Sequence, residues 1–166
     1  MTKELILPSG HITLIDTEDW ELIRQYRWAA SVGEWGIYVI ANNWHIGGKD
    51  PLKMHRLILN APANRQVDHK NHDGLDNRRG NLRLATPSQN GGNTRIGKNN
   101  TSGYKGVSWH KTSHKWVAAI TINYKKHSLG LWSDPWKAAQ AYNTAALKAW
   151  GEFALLNDKL PEGQVS

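Results

Sequence analysis

Residues 67–90, VDHKNHDGLDNRRGNLRLATPSQN, hold the side chains of this chain best suited to chemistry. Asp68 and His69 close a short β-type run, Asn81 precedes a second run at Leu82 to Ala85, and Asn90 follows the helix-opening Thr86-Pro87-Ser88. Hydrolysing a phosphodiester at neutral pH needs a nucleophile drawn from water and a cation to offset charge on the leaving oxygen. His69, with an ordinary pKa near ~6.5, can take a proton from water. A carboxylate oxygen from Asp68 and an amide oxygen from Asn90 make a sparse all-oxygen site with positions left for phosphate and water. That donor set suits one Mg²⁺ or Mn²⁺ rather than Zn²⁺. The Asn81 amide can bond backbone across the intervening loop and fix the direction of the His69 ring.

The elements that must position these groups are two strands and a helix, a ββα unit over about residues 66–93. Folding the hairpin sets Asp68 and His69 opposite the start of the helix, where Asn90 can converge with Asp68. Other readings of the segment fail on spacing. His69 and His72 form a His-x-x-His pair, but no further His or Cys pair stands at a matching distance for zinc. A calcium loop starting at His69 would put Gly80 where a bidentate Glu is required. Asp73 and Asp76 read as turn formers that bond their own backbone. Arg78, Arg79 and Arg83 are placed to touch phosphates, and His55 and Arg56, from a short helix at 52–59, either reach a phosphate or brace the hairpin.

At Asp68-His69, Asn81-Leu82-Arg83 and Asn90 the sequence resembles the HNH endonuclease family, whose signature is His, Asn, then His or Asn on a ββα-metal fold. The flanking Met54-His55-Arg56-Leu57 and Gly74-Leu75-Asp76-Asn77-Arg78 are similar to its phage-borne, homing-type branch. The resemblance implies that Asp68 and Asn90 hold one divalent metal ion and that His69 is the general base.

The whole chain, 166 residues, has the length of one average domain or two small ones. No Cys occurs, which excludes disulfides, Cys-ligated zinc, iron–sulfur clusters and thiol nucleophiles. No stretch approaches the ~20 apolar residues of a membrane span, and the run Leu5-Ile6-Leu7 is too short for a signal sequence. A cytoplasmic protein is expected, in the host cell if the gene is a phage's. The net charge of +7 is uneven: residues 1–94 carry eleven Lys or Arg against ten Asp or Glu, and residues 95–166 carry ten against four. A polyanionic partner is expected, gripped mainly by the C-terminal part.

A Gly-, Asn-, Ser- and Thr-rich break at Gln89 to Gly103 divides the chain. The expected domains are 1–93, a linker at 94–103, a second domain at 104–157 and a tail at 158–166. In the first, Ile12 to Ile15 reads as a strand, Trp20 to Trp28 as a helix, Gly36 to Ile46 as a strand and Gly47 to Asp50 as a turn. Trp20, Trp28, Trp35 and Trp44 are expected in its core rather than on a base-stacking surface.

In the second domain, β-type runs at 104–111, 115–122 and 126–132 with short connections predict an antiparallel meander. Asp134-Pro135 opens a helix whose Ala139, Tyr142, Ala146, Ala149 and Phe153 share one face. Trp116, Ala118, Ile120 and Ile122 have the parity to face that helix. Through Tyr104-Lys105-Gly106-Val107, Trp116 to Ile120, Leu129-Gly130, Ala138 to Asn143, Gly151 and Asn157, this part resembles the ethylene-response-factor type of DNA-binding domain. That resemblance implies a sheet in the major groove, with Lys105, Ser108, His110, Lys115, Thr121, Lys126 and Ser128 touching bases and phosphates.

The fold class expected is α+β: an N-terminal ββα-metal nuclease domain and a C-terminal three-stranded antiparallel sheet packed on one helix. The function expected is that of a metal-dependent DNA endonuclease acting on duplex DNA. Without a heptad or apolar stripe for dimerisation, it would act as a monomer that nicks, with no protein partner implied. The alternatives are a catalytically inert DNA-binding regulator and an RNA-directed nuclease.

Overall fold

The computed structural model describes residues 1–33, 36–42 and 50–158. Trp35, Trp44, the end of the strand expected to reach Ile46, the turn at 47–49 and the tail beyond 158 lie outside the described residues. The structure is mixed α and β, with several small sheets and few helices, and divides into two compact units, Met1–Thr86 and Pro87–Ser166. Among the described residues, no helix is long and apolar enough to cross a membrane.

The first unit opens with a hairpin, β1 (Thr2–Ile6) paired antiparallel with β2 (Ile12–Asp16), turned at Gly10 in a positive-φ conformation. A 3₁₀ turn at Thr17–Asp19 leads into α1 (Trp20–Ile23). A three-stranded sheet follows, ordered β3 (Trp28–Gly33), β4 (Gly36–Ala41) and β5 (Leu52–Lys53), and then α2 (Met54–Ile58). The unit closes with the hairpin of β6 (Gln66–His69) and β7 (Leu82–Ala85). Leu7, Ile15, Ile23, Trp28, Val39, Ala41, Met54, Ile58 and Leu82 form its buried core, with Trp20 packed against it.

Two expected helices are shorter in the structure. The helix expected over Trp20 to Trp28 stops at Ile23, because the buried Trp28 indole donates to the Ile23 carbonyl at 2.8 Å and Trp28 itself starts β3 opposite Ala41. The period of Trp20, Ile23 and Tyr26 is helical, but a core position against β4 decides the conformation of Trp28. The helix expected from Leu52 starts at Met54, since Leu52 and Lys53 pair with Ala41 and Ile40 of β4. Arg56 then secures the exit of α2 by donating to the carbonyls of Arg65 (2.7 Å), Ala61 (3.0 Å) and Pro62 (2.9 Å).

The second unit begins with α3 (Pro87–Gly92) and contains the meander β8 (Val107–His110), β9 (Lys115–Ile122) and β10 (Lys125–Trp132), followed by α4 (Pro135–Trp150). The sheet order is β10-β9-β8, antiparallel throughout, with a register shift between Ser128 and Leu131 around Gly130, which has positive φ. Asp134 caps α4 by accepting from Lys137 N at 2.8 Å, and Pro135 fills the first turn, where its missing N–H costs nothing. Ala138, Ala139, Tyr142, Ala146 and Trp150 form the buried stripe of α4 against Val107, Ala118 and Ile120 of the sheet.

The polar stretch between α3 and β8 is tied into this unit. Asn100 accepts from Gly103 N at 2.8 Å and donates to the Tyr104 carbonyl at 2.8 Å. The buried Ser102 hydroxyl lies 2.9 Å from the Val107 carbonyl. Side chains rich in oxygen and nitrogen can bond their own backbone, so a composition that suits a linker suits a bonded turn equally well.

Candidate active site

In the β6–β7 hairpin, Asp68 pairs with Arg83 and His69 with Leu82. The loop between them is built from side-chain-to-backbone bonds. Asn71 Oδ1 accepts from Asp73 N at 2.9 Å, and Asp73 Oδ1 accepts from Leu75 N at 2.9 Å. Asn81 closes the loop: it accepts from Asn71 N at 3.1 Å and donates to the Asp76 carbonyl at 2.8 Å and to Asn71 Oδ1 at 2.9 Å. The expected backbone contact across the loop is therefore made.

The loop docks on the N-terminal hairpin. Leu14 of β2 donates to the Leu75 carbonyl and accepts from Asn77 N, at 2.9 and 2.8 Å. Arg79 donates its backbone N–H to Asp16 at 2.8 Å and its guanidinium to Asp19 at 2.6 Å. Gly74 lies so close to the Ile37 carbonyl and the Tyr38 ring that a Cβ there would collide with both.

His69 and Asp68 are both buried at the end of β6. The His69 ring has Asn77 as a polar partner: His69 Nε2 lies 3.4 Å from Asn77 Oδ1. The orientation of the fully buried Asn77 follows from its neighbours. The Thr13 hydroxyl donates to the Leu75 carbonyl at 2.6 Å, so its oxygen must accept from Asn77 Nδ2, at 2.9 Å. The oxygen side of the amide then faces His69. Nε2 is thereby the protonated nitrogen, and the basic lone pair falls on Nδ1.

Burial pushes the His69 pKa below 6.5, against the Asn77 bond and the charges of Asp68, Asp73 and Asp76, which raise it. The His55 ring stands edge-on to His69 at 5.0 Å between centroids, with Tyr38 6.0 Å from His69. Burial, and then the charges of His69, Lys53 and Arg56, lower His55 from 6.5 to about 3. Its Nδ1 has no hydrogen-bond partner among the described residues. Asp68 Oδ2 accepts from Arg83 Nε and lies 2.8 Å from Arg83 Nη2. Hard oxygen donors of the Asp68 kind fit a divalent ion.

Several expected phosphate contacts are engaged within the protein. Arg78 grips Asp76 with two bonds of 2.7 Å and holds that carboxyl below the usual carboxylate range. Arg83 is on Asp68, Arg56 on backbone carbonyls, and His55 is inside the core. Among the described residues, one group of three acids could gather a cation, namely Asp16, Glu18 and Asp19, and the Arg79 guanidinium is bound to it.

Asn90 lies on α3, in the second unit. Of the sheet residues, Ser108, His110, Lys115, Thr121, Lys126 and Ser128 are exposed. The register pairs Ser108 with Val117, His110 with Lys115, Lys126 with Thr121 and Ser128 with Ala119, so all six share the face turned away from α4. Lys105 does not join them: its ammonium is directed to the carbonyls of Gly92 and Thr94, both at 2.6 Å.

The model of a family described as HNH endonuclease matches residues 60–91, from ahead of β6 into α3. An uncharacterised HNH endonuclease of Acanthamoeba polyphaga mimivirus is 32% identical over 155 residues, which is 89% of this chain and 75% of that protein. This chain belongs to the HNH endonuclease family. Protein 3.8 of Escherichia phage T7 is 39% identical over 67 residues, 40% of this chain and 55% of its own. No solved structure matches. As a member of this family the protein is a nuclease, a hydrolase of phosphodiester bonds, and both relatives are viral.

Proposed function

We propose that this HNH protein is a divalent-metal-dependent DNA endonuclease of the homing type that nicks duplex DNA, and that its second unit binds the duplex through the open face of the sheet. The observation that carries the reading is the buried His69 beside Asp68, its ring directed by Asn77 and its charged form disfavoured by burial. A neutral imidazole with its lone pair on Nδ1 takes the proton of an attacking water. Asn81 keeps the loop closed around that ring, so the base does not have to reorient during the reaction. Asp68 and Asn90 are the residues that hold one Mg²⁺ or Mn²⁺. Such an ion supplies a Lewis acid for the charge on the phosphate and the leaving oxygen. Arg83 neutralises Asp68 from one side and keeps its carboxylate in one orientation.

The test is incubation of supercoiled plasmid with the full chain, with and without Mg²⁺. Open circles should form only with the metal. His69→Ala should lower the rate roughly 10²- to 10⁴-fold while leaving DNA affinity nearly unchanged, as expected for a group that acts on water. Undiminished nicking by His69→Ala would overturn the assignment of the base.

A further inference from the structure

The helix that carries Asn90 is held at both ends by the C-terminal fold. At its end, Lys105 Nζ donates to the Gly92 carbonyl at 2.6 Å and to Thr94 at 2.6 Å, with Gly91 O at 3.5 Å. Gly91 and Gly92 end α3; their carbonyls also accept from Thr94 N at 3.3 Å and Leu155 N at 3.0 Å, and a cation there meets the negative end of the helix dipole. Burial lowers Lys105 to about 8, so at neutral pH it is still mostly an ammonium.

The backbone of Lys105 is in turn clamped by Asn157, which accepts from Lys105 N at 2.6 Å and donates to Lys105 O at 3.1 Å. Asn157 is fixed to α4 through Asn143, with Asn143 Oδ1 accepting from Asn157 N at 2.8 Å. At the start of α3, Ser88 Oγ accepts from the Trp150 indole of α4 at 3.0 Å. The same Trp150 ring covers Gly92 so closely that a Cβ would lie 2.7 Å from it.

We infer that Lys105 is a positioning residue for Asn90 rather than a DNA contact, and that Lys105, Asn157 and Trp150 fix α3 within the second unit and thus hold Asn90 in place as a metal ligand. The inference rests on the reading of Asn90 as a metal ligand. It gives the second unit a task separate from its open sheet face: the placement of Asn90 requires the fold of α4, not only residues 60–93.

Three measurements on the full chain test it: Mn²⁺ binding followed by paramagnetic resonance of the free ion, amide hydrogen exchange, and duplex binding against salt. Lys105→Met should speed exchange at the Asn93 and Thr94 amides, which bond back to Gln89, Asn90 and Gly91. It should raise the Mn²⁺ concentration for half-saturation about tenfold, toward the value for Asn90→Ala, with the salt dependence unchanged. Protection at the β9 amides should persist. If it is lost and Lys105→Met unfolds the unit, Trp150→Phe, which keeps the ring over Gly92 but drops the bond to Ser88, should shift Mn²⁺ binding in the same direction, and an unshifted value would overturn the inference. Unaltered Mn²⁺ binding in Lys105→Met, with a salt slope reduced by about 0.9, would make Lys105 a phosphate contact and overturn it too. Were Asn90→Ala itself to leave Mn²⁺ binding unchanged, the ligand assignment would fall, and the clamp's role in metal binding with it. An effect of Asn90→Ala alone would sink only the clamp.

Discussion

A base that works at neutral pH must be neutral before the substrate arrives, and two buried imidazoles bear on that requirement. His69 is pushed below 6.5 by burial, so its neutral form persists into mildly acidic solution. At saturating metal, the acid limb of the rate against pH should therefore have its midpoint below 6.5, and a midpoint above it would exclude His69 as the base. His55, at about 3, is a cost that the fold carries. In the unfolded chain it takes a proton near ~6.5, but in the folded one it resists to about 3. The unfolded state thus binds more protons between these values, so the associated stability is complete above pH 6.5 and drains away as pH falls. At about 1.36 kcal/mol per pH unit, the loss reaches roughly 3 kcal/mol by pH 4. His55→Phe keeps an aromatic edge against His69 and has no proton to gain, so its stability in urea should fall much less between pH 7 and 4. Equal acid sensitivity in the two proteins would show that His55 does not carry the effect.

At the scale of elements, the loop between β6 and β7 is shaped from within and aimed from without. Asn71, Asp73 and Asn81 bond locally, and such contacts follow from residue type and spacing, which is why the loop and its flanking strand Leu82 to Ala85 are legible in the sequence. The docking of that loop on β2 is not legible. Thr13 and Asn77 are 64 residues apart and meet in a buried bond that no periodicity announces. The shortening of α1 is not legible for the same reason, since Trp28 leaves the helical period to pair with Ala41 of β4. Residue type gives Asn77 no special role, yet its amide links the N-terminal hairpin to the His69 ring. Asn77→Ala strands the Thr13 hydroxyl oxygen and frees the ring. It should cost about 1–3 kcal/mol and lower kcat roughly 10- to 100-fold with KM little changed. A variant that loses stability alone, with kcat intact, would remove Asn77 from the orientation of the base.

For the molecule as a whole, charge and topology divide the labour. The excess of positive charge lies beyond residue 94, where ten Lys or Arg face four acids. Lys115 and Lys126 stand exposed on the sheet face that α4 leaves open, and many of the arginines of the first unit are paired with its own carboxylates. Affinity for the duplex should therefore come chiefly from the second unit and should be steeply salt-dependent, since each phosphate neutralised on B-DNA contributes about −0.9 to the slope of log K against log salt. Lys115→Ala and Lys126→Ala should each flatten that slope by about 0.9, while nicking at saturating protein stays unchanged, because neither side chain belongs to the set around His69. One His69 per chain means one hydrolytic centre per bound molecule, and one centre attacks one strand in each docking. Supercoiled plasmid should then pass through open circle before any linear form, at a rate first order in protein below saturation. Linear product without an open-circle precursor, together with a dimeric mass in solution, would show instead that two chains cut as a pair.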